Sequence, residues 1–572
     1  MDSQRLILFF VFSFSLFFLM DAWQRDQKPS VQPAAPASVI GAGPAKGDTK
    51  GPSGTPIPAA PTGSAAVVPA APQTGAAPPQ ATASAGGEVI KVETDILRAE
   101  IGLTGGDIRR MEFLRHKGTL DKTKNFVLFE SGTDHTYIAQ TGLIGNGLPN
   151  HRSAYTASSR EYRLADGSQT VEVRLEAPET AGLKSALIYK FSRSSYVVDV
   201  TFEVTNGGAA ATPLFAYYQL VRDSKPPDGD SAMLPTYTGP AVYTKAEKFQ
   251  KVVFADIDKG KTPYSKTGTE GWVSMIQHYF LSAFLPKDGL PREFYTKKDG
   301  GLYSAGLVVT GSSIEPGKSG TITTPLYAGP QTTDKLEKLA PGLDLVIDYG
   351  VLTIIAVPLF SVLSWIHQWV GNWGIAIILL TVLIKLLFYP LQEASYRAMA
   401  KMKVIAPKMQ KLKEQYGDDR QRMQKAVMEM YKKENVNPMA GCLPILVQMP
   451  VFIALYWVIL ASVDLRHAPF YGWITDLSAI DPWYILPVLM GASMIIQTRL
   501  NPEPPDPVQA KVMKIMPIAF SVFFFFFPAG LVLYWLINNI LSIAQQWHIN
   551  SKIERAALKP AMKSTDSSKP EK

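Results

Sequence analysis

The sequence predicts a helical membrane protein of six transmembrane helices, five of which form its core, joined to a large β-sandwich domain. Long apolar segments occur once at the N-terminus and then repeatedly after residue 340. Short runs of alternating apolar and polar residues occur within residues 88–340, a period typical of half-buried strands. A mean hydropathy of +0.04 with 46% apolar residues is high for a soluble protein and agrees with a chain that lies partly in a membrane.

Residues 1–23 are predicted to form an uncleaved signal-anchor transmembrane helix. The apolar run LILFFVFSFSLFFLM follows Arg5, and no small-residue cleavage site comes after it. Residues 24–87 are rich in Ala, Pro and Gly and have few large apolar residues. Such a composition cannot bury enough surface to offset the entropy of ordering, so it predicts a disordered linker outside the membrane.

Residues 88–340 are predicted to form the β-sandwich. Segments such as VEVRLEA at 171–177 and YVVDVTFEVTN at 196–206 alternate with period two and are separated by Gly, Pro and Asn. The domain contains no metal-ligand spacing, nucleophile motif or phosphate-binding glycine loop, so no cofactor is expected. A structural or docking role is favoured over catalysis. The single cysteine, Cys442, excludes an intramolecular disulfide.

Residues 341–370 are predicted to form an amphipathic helix along the external interface of the membrane. The segment is apolar enough to suggest a membrane span, but Asp344, Asp348 and Pro358 disfavour one. A span here would also place the basic segment that follows on the wrong side of the membrane. The interface is therefore the expected position.

The second predicted transmembrane helix, residues 371–391, contains a lysine. Lys385 lies within GNWGIAIILLTVLIKLLFYP, about two thirds of the way across the hydrocarbon layer if the helix enters near Asn372. A charge at the centre of such a helix costs about 2.5 to 3.5 kcal/mol. Two interpretations remain open: the ammonium extends to the nearby headgroups, or it lines a hydrated, positively charged pocket within the membrane.

Residues 392–440 are predicted to form a basic helical hairpin in the cytoplasm. Between residues 393 and 434 there are eleven Lys or Arg residues and six acidic ones, an excess that the positive-inside rule assigns to the cytoplasm. Gly417 and the two aspartates after it divide the segment into two helical halves. The hairpin is interpreted as either a solvated connector or a docking surface. Its candidate docking residues are Lys401, Lys403, Lys408, Lys411, Lys413, Arg420 and Arg422.

Four further transmembrane helices are predicted at residues 441–463, 483–498, 513–527 and 529–547. The loop at 464–482 is assigned to the periplasmic side, and the loop at 499–512 and the basic tail at 548–572 are assigned to the cytoplasm. A turn at residues 528–530 returns the tail to that side. Several spans are shorter than the roughly 20 residues that cross comfortably, which favours a locally thinned bilayer.

Polar side chains in these helices predict a hydrated groove around Lys385. On a continuous helix, Thr381 and Tyr389 lie on the Lys385 face. No Asp or Glu lies within the five core spans as bounded here, so water or an anionic visitor is expected to neutralise the lysine. Each amide could equally serve to pack helices together. The predicted groove residues are Lys385, Thr381, Tyr389, Gln448, Gln497, Tyr534, Trp535 and Asn538.

Several stretches of the chain resemble the YidC/Oxa/Alb family of membrane protein insertases. The resemblance covers residues 343–550 and is carried by VGNWGIAIILLTVLIKLLFYPL, the basic run KMKVIAPKMQKLKEQYGDDRQRMQKAVMEMY, DLSAIDPWYILPVLMG and FFPAGLVLYWLINN. The stretch EVIKVETDILRAEIGLTGGDIRRMEF at 88–113 resembles the start of the large periplasmic domain of Gram-negative members.

The resemblance implies an insertase of the Gram-negative inner membrane that uses no cofactor and performs no covalent chemistry. It implies a groove open to the cytoplasm and the lipid, with a positive charge at Lys385; many members carry arginine there, and lysine keeps the charge without the bidentate fork. The implied partners are nascent membrane proteins, the Sec translocon with its accessory subunits, the ribosome and membrane lipids, without a nucleic-acid motif. The β domain is implied to be a periplasmic supersandwich.

Two other function classes remain as alternatives. An ion-coupled transporter or channel would use the same groove, but the five spans contain no paired half-helices or internal repeats. An intramembrane hydrolase would require Lys385 to activate Thr381 as a nucleophile. No oxyanion element or second acid/base group accompanies that pair in the sequence.

Overall fold

The computed structural model describes residues 87–227, 236–417, 419–434, 443–500 and 507–565. Their chain forms two compact units, a β unit that ends at Ile347 and a helical unit that begins at Asp348. The predicted N-terminal anchor and all but the last residue of the predicted linker lie outside the described residues, as do residues 566–572 of the predicted tail.

The described part of the β unit contains nineteen strands in two sheets. The strands are β1 (Val89–Glu93), β2 (Leu97–Gly102), β3 (Ile108–Lys117), β4 (Asn125–Ser131), β5 (Thr136–Ile144), β6 (Thr156–Ala157), β7 (Glu161–Arg163), β8 (Thr170–Glu176), β9 (Leu183–Ser192), β10 (Val197–Asn206), β11 (Phe215–Arg222), β12 (Gly239–Thr244), β13 (Lys248–Lys251), β14 (Thr267–Gly268), β15 (Trp272–Gln277), β16 (Phe280–Phe284), β17 (Arg292–Asp299), β18 (Leu302–Thr310) and β19 (Ser319–Pro330). One sheet has the order β14-β17-β18-β11-β5-β4-β3-β2-β1-β7 and the other the order β13-β12-β15-β16-β19-β10-β9-β8-β6. The predicted large β-sandwich is confirmed.

The two sheets pack face to face through alternating side chains. In β10, every second residue from Val198 to Val204 is buried, because successive side chains of a strand point to opposite faces. Tyr137 in the ten-stranded sheet donates to the main-chain oxygen of Met275 at 3.2 Å and lies 2.5 Å from the hydroxyl of Ser282, both in the nine-stranded sheet. These bonds satisfy a buried phenol.

A row of buried amides crosses the other face of the ten-stranded sheet. Gln140 on β5 and Gln219 on β11 are register partners, and Gln219 Nε2 donates to Gln140 Oε1 at 2.9 Å. The Tyr295 hydroxyl on β17 donates to Gln219 Oε1 at 2.9 Å, and its ring occupies the space that a side chain at Gly306 would fill. Gln140 Nε2 donates to Asp107 at 3.1 Å. The row therefore ends at a carboxyl group.

Asp107 lies in the interior and is 1% exposed. Burial raises the pKa of this carboxyl to about 7, although the hydrogen bond from Gln140 and the charge of Arg109 act in the opposite direction. The folded chain therefore favours the neutral acid. The stability that the buried neutral carboxyl of Asp107 contributes is fully present below the pKa of the unfolded chain, about 4. This stability is lost as the pH rises through 7.

We expect Asp107→Asn to stabilise the β unit at pH 8 and to change its stability little near pH 4. Asparagine keeps an acceptor for Gln140 but carries no charge to desolvate, and a pKa difference of about three units corresponds to at most about 4 kcal/mol. Hydrogen exchange of the β3 and β5 amides in the intact chain measures the difference. Asp166→Asn, at an exposed position, is the control. An Asp107→Asn effect of equal size at both pH values would contradict the prediction.

The described residues form ten α-helices, of which the first two belong to the β unit. The helices are α1 (Phe254–Asp258), α2 (Thr333–Leu339), α3 (Thr353–Val370), α4 (Trp373–Leu387), α5 (Tyr389–Tyr416), α6 (Arg420–Lys433), α7 (Leu443–Ala461), α8 (Ile485–Leu500), α9 (Pro507–Phe523) and α10 (Ala529–Thr565). Helices α4, α7, α8 and α9 and the first half of α10 overlap the segments predicted as core spans, and their crossing of a membrane stays a prediction. Helix α10 continues well past residue 547, where the last span was expected to end.

The segment expected to form one interfacial helix from residue 341 is divided between the two units. Residues up to Ile347 belong to the β unit, where the main-chain oxygen of Pro341 accepts a 3.0 Å hydrogen bond from Trp272 Nε1. Helix α3 begins only at Thr353. The expected helix start was therefore wrong, because the first residues of the segment are held by the sandwich.

Among the described residues, one helix is long and apolar enough to cross a membrane, and a second stretch qualifies only if a bent pair of helices is counted as one span. One is α3, and the other is α4 together with the first half of α5, a pair that is bent by 67°. The outward-facing residues of α3 include Ile354, Trp365 and Trp369. The interfacial position of α3 and the total number of spans stay predictions.

The helix that carries Lys385 ends before Tyr389. Asn372 caps its first turn by accepting a hydrogen bond from a backbone N–H, and the helix ends at Leu387. Helix α5 then starts in a direction 67° away. The expectation that Tyr389 shares the Lys385 face of one continuous helix was wrong. Pro390 supplies the reason, because proline lacks an N–H donor and its ring displaces the carbonyl four residues earlier.

Helices α5 and α6 fold back on each other as a hairpin. Gly417 between them has a φ of +49°, a left-handed conformation that glycine adopts without steric cost. Ile405 and Met409 on α5 pack with Met430 on α6 in a small buried cluster. Methionine in such a cluster fills irregular space because its side chain is unbranched.

Candidate functional site

Helix α10 carries a stripe of polar residues at four-residue intervals. The stripe consists of Tyr534, Asn538, Ser542 and Gln546, and side chains four residues apart lie on the same helical face. All four are at most 6% exposed. Helix α10 contacts α4, α5, α7 and α8, so the stripe faces the interior of the helical unit.

Gln448 on α7 is hydrogen-bonded to the first half of the stripe. Its Nε2 donates to the Tyr534 hydroxyl at 3.1 Å and to Asn538 Oδ1 at 2.5 Å. A buried polar group without a partner costs about 1 to 3 kcal/mol. Side chains of α10 therefore satisfy the amide nitrogen of Gln448.

One helical turn further along α10, Lys385 donates a hydrogen bond to Ser542. The distance from Nζ to Oγ is 2.7 Å, and Ser542 Oγ donates in turn to the main-chain oxygen of Asn538 at 2.7 Å. Tyr396 on α5 is buried and lies beside Ser542. Side chains from α4 and α5 thus meet α10 at one serine.

Lys385 has no carboxylate partner in the part of the chain that the structure describes. Ser542 is its one hydrogen-bond partner there. The side chain is 8% exposed, and the outward-facing residues around it are Leu383, Leu386 and Leu387. An ammonium group has three N–H donors, so two remain for water or for a bound segment.

The hydrogen-bonded side chains around Ser542 and Gln448 are called the polar cluster below. Half of the predicted groove residues lie in it. The cluster contains Lys385, Gln448, Tyr534 and Asn538. Thr381 is buried on the Lys385 face, but its hydroxyl donates to the Ile377 carbonyl of its own helix at 2.6 Å. Tyr389 is half-buried beyond the bend.

The remaining two predicted groove residues have other surroundings. Gln497 is half-buried on α8, and no hydrogen bond between described residues connects it to the cluster. Trp535 packs with Phe452 and Phe524, whose ring centroids lie 4.9 and 5.6 Å from its own. It therefore belongs to an aromatic cluster.

Sequence reasoning missed two residues of the site, Ser542 and Tyr396. The four-residue spacing of Tyr534, Asn538 and Ser542 was a readable signal for the serine. Tyr396 gave no such signal, because it follows the bend between α4 and α5 and lies beside Ser542 only as a result of the changed helix direction.

The loop between α7 and α8 closes one end of the helical unit. Asn372, at the start of α4, donates from Nδ2 to the Phe470 main-chain oxygen at 3.3 Å. Ala529, at the start of α10, donates its backbone N–H to the Ala479 oxygen at 2.7 Å. Lys385 lies about 20 Å further along α4, toward the end that leads into the hairpin.

Two buried aspartates hold this closing loop in shape. Asp476 accepts hydrogen bonds from the backbone N–H and ring Nδ1 of His467, at 3.1 and 2.9 Å. Asp481 accepts from Trp473 Nε1 at 2.9 Å and from the Leu486 backbone N–H at 2.8 Å. Buried carboxylates with several donors rigidify a loop, so these two residues hold the loop in a defined conformation.

The basic hairpin residues are only partly available for docking. Lys408 Nζ donates a hydrogen bond to the Glu434 carboxylate at 2.7 Å. This bond holds the pKa of the Glu434 carboxyl below its usual range. Arg422 forms an ion pair with Asp419 at 3.2 Å. Lys401 and Lys411 are exposed. The side chains of three further predicted docking residues lie outside the described part of the structure: Lys403, Lys413 and Arg420.

The site offers a positive charge and hydrogen-bond donors but no arrangement for covalent catalysis. The Thr381 hydroxyl is engaged with its own helix, and Lys385 donates to Ser542. The pairing that a threonine–lysine hydrolase needs is therefore not formed. Among the described residues, no three His, Cys, Asp or Glu side chains are grouped as metal ligands.

A large β-sandwich followed by apolar helices around a buried lysine defines an integral membrane protein with a polar internal site. Two family models match the chain in succession, and the first of them extends past the β unit into α3. Residues 89–362 match the model described as the YidC periplasmic domain, and residues 365–556 match the 60Kd inner membrane protein. The chain belongs to the YidC family of inner-membrane insertases, which are not enzymes.

Similar proteins match over nearly the whole chain. The membrane protein insertase YidC of Nitrosospira multiformis is 53% identical and aligns with 97% of this chain and 98% of its own. That of Methylobacillus flagellatus is 54% identical, with 98% and 99% covered. The crystal structure of an active YidC insertase with its first transmembrane domain resolved is 18% identical, covers 80% of this chain and 92% of its own, and has a TM-score of 0.38.

Proposed function

We propose that this protein inserts integral membrane proteins into the inner membrane and helps them to fold, through a groove around Lys385. Membership in the insertase family supports the activity. The observation that carries the groove is a buried ammonium group with two unused donors and no carboxylate partner among the described residues. An acidic or polar segment of a nascent chain supplies the missing partner.

The driving force comes from the client and not from a covalent reaction. A transmembrane segment of about 20 apolar residues gains roughly 25 cal/mol for each Å² of apolar surface that leaves water. The barrier to insertion is the passage of the client's polar segment across the hydrocarbon layer. The groove shortens this path. Helix α4 has fifteen residues, about 22 Å of helix, and this short span favours a thinned bilayer around the site.

The charge distribution supports an orientation with the hairpin and both termini in the cytoplasm and the β unit in the periplasm. The exposed Lys401 and Lys411 then face the side where ribosomes deliver clients. Helix α9 presents Ile515, Ile518 and Val522 outward, a surface suited to lipid or to a helix of the Sec translocon. We propose that the protein works alone or with that translocon.

A thiol at position 385 tests whether the groove is aqueous on one side. Lys385→Cys is combined with Cys442→Ser and probed with a membrane-impermeant thiol reagent added from each side. We expect labelling from the cytoplasmic side only, because the α7–α8 loop closes the other end. The control is Ile377→Cys, at a buried position of the same helix, which should stay unlabelled.

Other labelling patterns would contradict the proposal. Labelling of position 385 from both sides would indicate a channel or a transporter. Protection from both sides would place the side chain in packed protein or in lipid, and Lys385 would then serve only helix packing.

A further inference from the structure

We infer that Ser542 is a positioning residue for Lys385: it holds the ammonium group in the polar cluster and leaves two N–H donors for an acidic segment of a client. The inference rests on the proposed role of Lys385 and adds to it a second residue, on another helix. Neither the charge pattern nor the apolar periodicity of the chain assigns a role to this serine.

The hydrogen bonds of Ser542 fix which way its hydroxyl group points. Its proton is donated to the main-chain oxygen of Asn538, four residues earlier, at 2.7 Å, a common local bond of serine in helices. The lone pairs of Oγ are then free to accept, and Lys385 Nζ occupies one of these directions at 2.7 Å. Ser542 is therefore a pure acceptor toward the lysine.

An acceptor of this kind matters because a lysine side chain is long and flexible. Without a partner, its ammonium group moves along its stem toward the nearest polar region. Leu386 and Leu387, the next residues on α4, face outward. Rotamers of Lys385 that leave the polar cluster therefore place its ammonium group against an apolar surface. Ser542 gives the charge a defined position on the interior side of α4.

A single neutral acceptor also leaves the charge of Lys385 available. A carboxylate in the place of Ser542 would form an ion pair and compete with an acidic client. The serine uses one of three ammonium donors and adds no charge. The geometry therefore favours an anchored but unneutralised cation.

The test compares insertion of two matched clients that differ only in whether their translocated segment carries acidic residues. For Ser542→Ala we expect insertion of the acidic client to slow about tenfold, since the ammonium group loses the hydrogen bond that holds it in position. The neutral client should change less than twofold. Ser542→Thr keeps a hydroxyl with the same local bond and should restore the native rate.

The control variant is Ser493→Ala. Ser493 is equally buried and accepts a 3.2 Å hydrogen bond from Asn539 on α10, but it does not contact Lys385. It should leave the acidic client within twofold of the native rate. The double variant Lys385→Ala with Ser542→Ala should be no slower than Lys385→Ala alone, because the serine acts through the lysine.

The outcomes separate this inference from the proposed function. If Lys385→Ala itself leaves the acidic client unaffected, the proposed role of the lysine fails. If Lys385→Ala slows that client and Ser542→Ala does not, the positioning role of Ser542 is overturned. Equal slowing of both clients by Ser542→Ala, or no rescue by threonine, would show a packing role only and would also overturn it.

Discussion

Replacing Lys385 by alanine should slow the insertion of clients with acidic translocated segments by about 10- to 100-fold. The variant loses a charge-assisted hydrogen bond to the client, worth about 1.5 to 3 kcal/mol, and each 1.4 kcal/mol corresponds to a factor of ten. Clients with neutral segments should change less than twofold, because they gain little from the ammonium group. Timed insertion of matched acidic and neutral clients into membranes measures both rates.

Two further variants show whether the charge at position 385 is what matters. Lys385→Arg keeps the positive charge and should retain most of the activity on acidic clients. Lys552→Ala removes an exposed lysine further along α10 and should leave both clients unaffected. Equal slowing of acidic and neutral clients by Lys385→Ala would contradict a role in charge recognition and would indicate loss of helix packing.

The second large effect is expected in the β unit, where Arg292→Ala should reduce stability by about 3 to 5 kcal/mol. Arg292 is 3% exposed, and its guanidinium group donates to five main-chain oxygens, which belong to Leu290, Gly271, Pro286, Thr269 and Lys287. Removal leaves buried carbonyl groups without a donor, and each such group costs about 1 to 3 kcal/mol unless water reaches it.

Hydrogen exchange of the β17 and β18 amides in the intact chain measures this loss. Arg292→Lys should recover only part of the stability, since an ammonium group has three donors and lacks the planar fork of arginine. The matched control is Arg115→Ala, which removes an exposed partner of Asp95 and should cost less than 1 kcal/mol. A loss at Arg292 no larger than at Arg115 would contradict the prediction.

Local sequence pattern was sufficient for the fold class. In β10, alternation of buried and exposed residues follows the period of the sequence, because a strand places successive side chains on opposite faces. The break at Gly417 was also readable, since glycine accepts the left-handed backbone found there. Both features depend on neighbouring residues alone.

The helix around Lys385 shows where local pattern stops being sufficient. Helical periodicity placed Thr381 and Tyr389 with the lysine, yet the bend after Leu387 separates Tyr389 from it. The start of α3 was also predicted too early, since residues up to Ile347 belong to the sandwich. In both places the deciding factor is how one segment packs on others.

The sequence by itself determined that this protein joins a β-sandwich to apolar helices and places Lys385 inside an apolar segment, with no Asp or Glu in the predicted core spans. Those properties follow from composition and period, which act over a few residues. Only the tertiary structure decided that Lys385 meets Ser542, 157 positions away. A hydrogen bond between distant segments depends on the packing of whole helices. The local periodicity of the sequence does not show which helices pack together.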